Sequence, residues 1–416
     1  MQSVTDQPPV CIVGASHAGV ACAFALRHEG YAGPILLLDQ DPHLPYQRPP
    51  LSKVLLAEPR AIGDFALKPR EAYDKENIEL RLGVRVAAIE SRYRYLRLAD
   101  GSRQPYHKLV LATGARPLFP PVPGLGQVPG VFPLRTAADI EGIREAVLKQ
   151  KKCRAVIIGG GYIGLETAAS LHKLGVAVTL LEKESRLLSR VTSPRMSDYF
   201  CELHQRHGVA IHTGRQVTAV AQKGNSTLVC TNDGSTCEAD LILVGAGIVV
   251  NTELAATAGL TLDNGIRVDA TARTSDGHIY AIGDCTSHFN PHYGRYIRLE
   301  SVQNAVDQAK VAAAALCDKQ PTYNALPWFW SDQYDVKLQM TGLSQGYDDT
   351  VVRTEGPDSF SVWYLKEGEL LAVDAVNCPK AYVVGTRLIR ERIPVDASKL
   401  GNALIPLKPE ALRSDF

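Results

Sequence analysis

Short apolar runs alternating with stretches of helical spacing set the rhythm of this chain. VCIV at Val10–Val13 precedes a glycine turn, a helix-spaced run and a second apolar run, ILLL, that stops on Asp39. The order returns at Ala155, where AVII, GGGYIG, a helix-spaced run and VTLL end on Glu182. Apolar runs bounded by turn residues predict buried strands, and strand–turn–helix–strand predicts a parallel βαβ unit. KLVLATGARP and DLILVGAGIVVN read as a further buried strand for each unit, and TSDGHIYAIGDC as a short strand ending on Gly283 and Asp284. Between them lie a helical segment near Arg70 to Asn77, hairpin-like runs from Ile78 to Leu98, and a Pro- and Gly-rich linker from Phe119 to Gly130. SVQNAVDQAKVAAAAL predicts a helix. Beyond PWFWSDQ the pattern changes: FSVWYL and LLAVDAV around KEGE predict a hairpin, and AYVVGTRLIRER a helix packed on it. The expectation is an α/β chain of two Rossmann-like domains plus a C-terminal α+β domain. Its expected boundaries are 1–114 with 246–325, 115–245, and 326–416.

The two glycine turns carry the chemistry. A tight turn after a buried strand lets backbone N–H groups and a helix N-terminus face a pyrophosphate, and a carboxylate ending the next strand accepts from a ribose hydroxyl. Gly14, Ala18 and Gly19 form the first turn, Gly159, Gly161 and Gly164 the second. Two complete units predict two dinucleotides held by one chain. Ser16 departs from the pattern at the middle glycine of the first turn, where its hydroxyl is itself able to bond a phosphate oxygen. The sequence DQDP offers both Asp39 and Asp41 as the first ribose carboxylate, and spacing does not choose between them.

Composition narrows the class. A net charge of +1, with acidic and basic residues interspersed, leaves no polyanion-binding tract. No apolar run approaches the roughly 20 residues of a membrane span, and the N-terminus lacks a basic start and apolar core, so a cytoplasmic protein is expected. Nine cysteines are scattered without a CxxC pair, which indicates neither a metal site nor a redox dithiol. The stretch DPHLPYQRPPLSK, just beyond the first carboxylate, has no cysteine. Cys11 and Cys22, flanking the first turn, read as packing residues.

GASHAG, LPYQRPPLSK, ATGARP, GGGYIGLE, AIGDC and PWFWSDQYDVKLQMTGL, in that order, resemble the FAD-dependent, NADH-using ferredoxin reductases of bacterial oxygenase systems. The likeness covers almost the whole chain, and its most specific part is PWFWSDQYDVKLQMTGLSQGYD. It implies a glutathione-reductase-like fold with FAD in the first unit and NADH in the second. FAD would then be contacted by Gly14, Ser16, Ala18, Gly19, Asp39 or Asp41, Arg48, Lys53, Val86, Thr113, Gly114, Arg135, Asp284, Val302 and Trp330. NADH would fall to Gly159, Gly161, Tyr162, Ile163, Gly164, Glu182 and Gly245. Glu182 favours NADH, since a carboxylate repels a 2′-phosphate.

A flavin converts a two-electron hydride into single electrons, and the resemblance implies a monomeric enzyme reducing a [2Fe–2S] ferredoxin that feeds a cytochrome P450 or related oxygenase. Lys53 is the candidate charge beside the flavin, Glu166 its partner, and Glu300 a nicotinamide contact. Trp328 and Trp330 are candidates for covering the flavin edge and, with Lys310 and Lys337, for docking an acidic ferredoxin. Rival readings on the same scaffold are a monodehydroascorbate, rubredoxin or quinone reductase, or an interaction protein like apoptosis-inducing factor.

Overall fold

The apolar runs become the strands of parallel sheets. The computed structural model describes residues 7–224 and 226–414. In chain order its principal elements begin with β1 (Val10–Val13), α1 (His17–His28), β2 (Ile35–Leu38), β3 (Ile78–Arg81) and β4 (Lys108–Leu111). Next come β5 (Arg154–Ile158), α2 (Tyr162–Lys173), β6 (Ala177–Leu181), α3 (Pro194–Arg206) and β7 (Leu241–Val244). Then follow β8 (Ile279–Ala281), α4 (Val302–Leu316), β9 (Trp328–Gln333) and β10 (Val336–Gly342). Last are β11 (Asp349–Gly356), β12 (Ser359–Lys366), β13 (Glu369–Val376) and α5 (Pro379–Arg390). The chain divides into two compact units. One runs through Arg48 and adds Ala61–Arg116 and Val249–Ala325; the other comprises Pro49–Arg60, Pro117–Ile248 and the chain from Leu326 onward.

The first unit is built on a parallel sheet in the order β8-β4-β1-β2-β3. β1 and β2 are buried along their whole length, which is why they read as unbroken apolar runs rather than alternating ones. α1 packs on α4 through small side chains, Ala18 and Cys22 on one and Ala305, Ala309 and Ala312 on the other, within one core. The stretch expected to be hairpin-like divides in two. Ile78–Arg81 is the edge strand of the parallel sheet, pairing Ile78 with Ile35, and only Val86–Glu90 and Tyr95–Leu98 form the hairpin. Burial of Ile78 against that sheet outweighs the local pattern.

The second unit carries two five-stranded sheets and a three-stranded antiparallel one over Val217–Lys223, Ser226–Thr231 and Thr236–Ala239. A parallel one runs Ala210–His212, β6, β5, β7 and Val131–Phe132; an antiparallel one runs β9-β10-β13-β12-β11. FSVWYL and LLAVDAV pair as the predicted hairpin, and α5 lies against it, burying Trp363, Val373, Ala381 and Leu388 together. Among the described residues, no helix is long and apolar enough to cross a membrane. All nine cysteines are free. Burial pushes the thiols of Cys11 and Cys22 up to about 12, so both remain protonated packing groups at neutral pH.

Candidate functional site

In the first unit the carboxyl ends of β1, β2, β4 and β8 bring Gly14, Asp39, Ala112 and Gly283 to one edge of the sheet. Gly14 has φ +106°, and a Cβ there would meet the Ala112 carbonyl oxygen at 2.2 Å, so only glycine makes this turn. Asp39 closes it: one oxygen accepts from the Ala15 N–H at 2.5 Å, the other from the Asp41 N–H at 2.8 Å. Asp41 faces other partners, the His43 ring at 2.7 Å and the Tyr46 hydroxyl at 2.9 Å. Burial would raise its carboxyl, but the backbone and ring of His43, the Tyr46 hydroxyl and the Arg48 charge together hold it below its ordinary value.

The cleft beside this turn is lined by Ala15, Asp39, Asp41, Tyr46 and Arg48. Arg48 stacks over the Tyr46 ring at 4.5 Å and donates to the Ser16 hydroxyl at 3.4 Å. Ser16 is the N-cap residue of α1 yet makes no side-chain cap, so its hydroxyl and Arg48 lie together at a helix N-terminus. That donor set fits a pyrophosphate. Thr113 donates to the Asn251 carbonyl at 2.7 Å, and the Gly114 carbonyl accepts from the Asn251 N–H, tying two chain crossings together. Gly283, at φ +80°, packs against Ala18 and Ala305, and its N–H donates to Gln308 at 2.7 Å. Asp284 follows it directly, and Val302 opens α4 behind the Ser301 cap. The Val86 side chain is buried in one core with Leu98, the residue its backbone pairs with in the hairpin.

The second turn repeats the first in detail. Gly159 has φ +113°, and a Cβ there would lie 2.4 Å from the Gly245 oxygen. Glu182 accepts from the Gly160 N–H at 2.6 Å through one oxygen and from the Glu184 N–H at 2.8 Å through the other. Asp39 and Glu182 are therefore equivalent members of the two turns. Gly161 caps α2 in extended backbone, and a Cβ built on it meets nothing within 4 Å, so the space before the helix is open to a phosphate. Ile163 is exposed beside it. The Tyr162 hydroxyl lies on Met340 Sδ at 2.9 Å and its ring on Phe329 at 5.1 Å.

One helix turn further along α2, Glu166 is buried at 3% exposure and meets Lys53 Nζ at 2.8 Å. Ser52 donates to the same carboxylate oxygen at 2.5 Å and Ser331 to the other at 2.6 Å. The prolines of RPPLSK suit the fixed φ of the short 3-10 turn Pro49–Ser52, and Ser170, two turns beyond Tyr162, ties that turn to α2 by donating to the Ser52 carbonyl at 2.7 Å. Ser52, Ser170, Ser331, Gln333 and His204 were not among the sequence candidates. The signal was the alternation in PWFWSDQ, which sends Phe329, Ser331 and Gln333 to one face of β9 and Trp328 and Trp330 to the other.

The remaining candidates are dispersed. Trp328 and Trp330 lie 5.6 Å apart, with Tyr382 of α5 at 6.3 Å from Trp328. Lys337, on β10, is exposed. Arg135 precedes the helix Ala137–Leu148, its N–H held by Asp139, in the second unit. In the first unit Glu300 is exposed and paired with Arg298 at 2.8 Å, and Lys310 is exposed near Asp307 at 3.6 Å.

Two carboxylate-clasped glycine turns, one beside Arg48 and the other one helix turn from a buried Lys–Glu pair, define an oxidoreductase that handles two dinucleotides. The chain belongs to the pyridine nucleotide-disulphide oxidoreductase family, which matches residues 8–309, and a reductase C-terminal family matches residues 328–411. It is 43% identical over 406 residues to putidaredoxin reductase of Pseudomonas putida, covering 96% of both chains. It is 40% identical to rhodocoxin reductase of Rhodococcus erythropolis, covering 96% of this chain and 93% of that one. Among solved structures, the covalent putidaredoxin reductase–putidaredoxin complex superposes with a TM-score of 0.92 at 42% identity, covering 96% of this chain and 97% of the other. The ferredoxin reductase for the CYP199A2 system of Rhodopseudomonas palustris gives 0.93 at 39%, covering 97% and 100%.

Proposed function

We propose that this protein is an FAD-dependent NADH:ferredoxin reductase that passes electrons singly to a [2Fe–2S] ferredoxin serving a cytochrome P450 or related oxygenase. The observation that carries this reading is the near full-length likeness to putidaredoxin reductase, which includes the C-terminal sheet bearing Trp328 and Trp330. Bound FAD supplies the exchange between hydride and single-electron transfer. The protein's own groups bind, orient and balance charge. Arg48, the Ser16 hydroxyl and the α1 N-terminus hold the FAD pyrophosphate, and Asp39 its ribose. The α2 N-terminus at Gly161 holds the NADH pyrophosphate, with Glu182 on the adenosine ribose.

Glu166 orients the Lys53 ammonium for the reacting end of the cofactors. The α4 N-terminus, at Val302, favours negative charge placed before it. Trp328, Trp330 and Lys337 are the residues of the second unit assigned to an acidic ferredoxin. Nine free thiols suit a reducing compartment and support a cytoplasmic reading. The test is NADH oxidation by the FAD-loaded protein with a [2Fe–2S] ferredoxin, a rubredoxin or a quinone offered in turn. Ferredoxin should be reduced fastest, with NADH preferred to NADPH. Faster reduction of rubredoxin or quinone would reassign the acceptor.

A further inference from the structure

Behind the Lys53–Glu166 pair runs a chain of buried polar groups. α2 and β9 lie side by side, and their repeats nearly match: four helical residues rise about 6 Å and two strand residues about 6.6 Å. Tyr162 and Glu166 therefore meet Phe329 and Ser331 in step. One strand step further Gln333 is 1% exposed, and α3 supplies its partner, His204, which is fully buried. Gln333 Nε2 donates to Ser331 Oγ at 3.2 Å, and His204 Nε2 lies 2.9 Å from Gln333 Oε1. Tyr334, at the turn after β9, brings its hydroxyl to His204 Nδ1 at 3.3 Å and stacks on His207 at 3.7 Å.

The hydrogen-bonding chemistry fixes the direction of every link. Ser331 gives its only proton to Glu166, so it accepts from Gln333. With the Gln333 amide group spent as donor, its carbonyl accepts from His204 Nε2–H, and His204 Nδ1 accepts from Tyr334. Each group donates toward the carboxylate and accepts from behind, an arrangement that strengthens successive bonds.

We propose that Ser331, Gln333 and His204 form a polarised relay that positions the Glu166 carboxylate as an acceptor against Lys53. These three are positioning residues, acting only through Glu166. The relay rests on the reading that the Lys53–Glu166 pair serves the reaction. Burial, opposed by the bond to Gln333, lowers His204 to about 4 and keeps it neutral, as the relay requires. The titratable groups facing Glu166 are Lys53, directly after the 3-10 turn, and Tyr162, one turn earlier on α2.

The test reads the Glu166 carboxylate directly, by infrared difference spectroscopy of the FAD-loaded protein at neutral pH, with Glu166→Gln identifying the band. Losing a hydrogen-bond donor changes a carboxylate's stretching frequency, so Ser331→Ala should move the band. Gln333→Leu should move it the same way by less, and Ser331→Thr, which keeps the hydroxyl, should leave it in place. If Ser331→Ala does not accumulate as folded protein, Gln333→Leu carries the test. An unmoved band in Gln333→Leu and Ser331→Ala, with only thermal stability lowered, would overturn the relay. A moved band with unchanged flavin reduction by NADH would sustain the relay and remove the Lys53–Glu166 pair from the reaction.

Discussion

Replacing Lys53 with Met tests whether the Lys53–Glu166 pair is surface ornament or a working part. The substitution leaves Glu166, 3% exposed, with two hydroxyl donors and no cation. Removing one partner of a fully buried pair costs about 3–5 kcal/mol. Lys53 is itself 21% exposed and both serines remain, which brings the expected loss down to about 2–3 kcal/mol. Glu166→Gln strands a lysine that is able to reach water, and should cost about 1–2 kcal/mol. With both changes no uncompensated charge remains, so the double variant should unfold within about 1 kcal/mol of the parent. Urea unfolding of the four FAD-loaded proteins, followed by tryptophan fluorescence, completes the cycle. Anaerobic flavin reduction by NADH, measured on the same samples, should be slowed in all three variants and not restored in the double one. A Lys53→Met protein with unchanged stability and a normal flavin reduction rate would refute the reasoning.

The two glycine turns separate packing from ligand binding: Gly164→Ala puts a Cβ 2.1 Å from the Gly159 oxygen and should disrupt the second unit, visible as a loss of folded yield. Gly161→Ala meets no protein atom and should unfold like the parent while raising the Kd for NADH at least about tenfold, measured by binding titration. Glu182→Ala should weaken NADH more than NADPH and narrow their kcat/KM ratio, since it removes both the ribose acceptor and the repulsion of a 2′-phosphate. Acid stability should follow three buried groups. His204 and His288 are both lowered by burial to about 4, so each contributes stability that is present above pH 6.5 and lost as pH falls toward 4. Asp374, raised by burial to about 6, has the opposite sign: its contribution is full below pH 3.8 and lost as pH rises through 6. At about 3 kcal/mol each, the two histidines outweigh the aspartate, and urea unfolding between pH 7 and 4.5 should show a net loss that His204→Gln reduces.

The parallel sheets were legible because both faces of β1, β2 and most of β5 are covered, which writes them as unbroken apolar runs. Ile78–Arg81 was not, because its pairing with Ile35 is set by the sheet rather than by its neighbours in sequence. Spacing left Asp39 and Asp41 equal. The folded chain distinguishes them, since Asp39 clasps its turn as Glu182 does, whereas Asp41 is engaged by His43 and Tyr46. Lys53 and Glu166 are 113 positions apart, so their pairing came from family resemblance and not from any local pattern. Ser331, Gln333 and His204 escaped notice for a related reason. Their meaning depends on β9 lying beside α2 with matching repeats, which no single segment encodes.

The central claim is that this chain moves reducing equivalents from NADH to a [2Fe–2S] protein. The most direct measurement is anaerobic stopped-flow absorbance, mixing the FAD-loaded protein first with NADH and then with oxidised putidaredoxin while both chromophores are followed. Rapid flavin bleaching, followed by cluster reduction at a catalytic rate, is the predicted result. Bleaching without cluster reduction, here and with other [2Fe–2S] ferredoxins, would contradict the claim and point to a different electron acceptor.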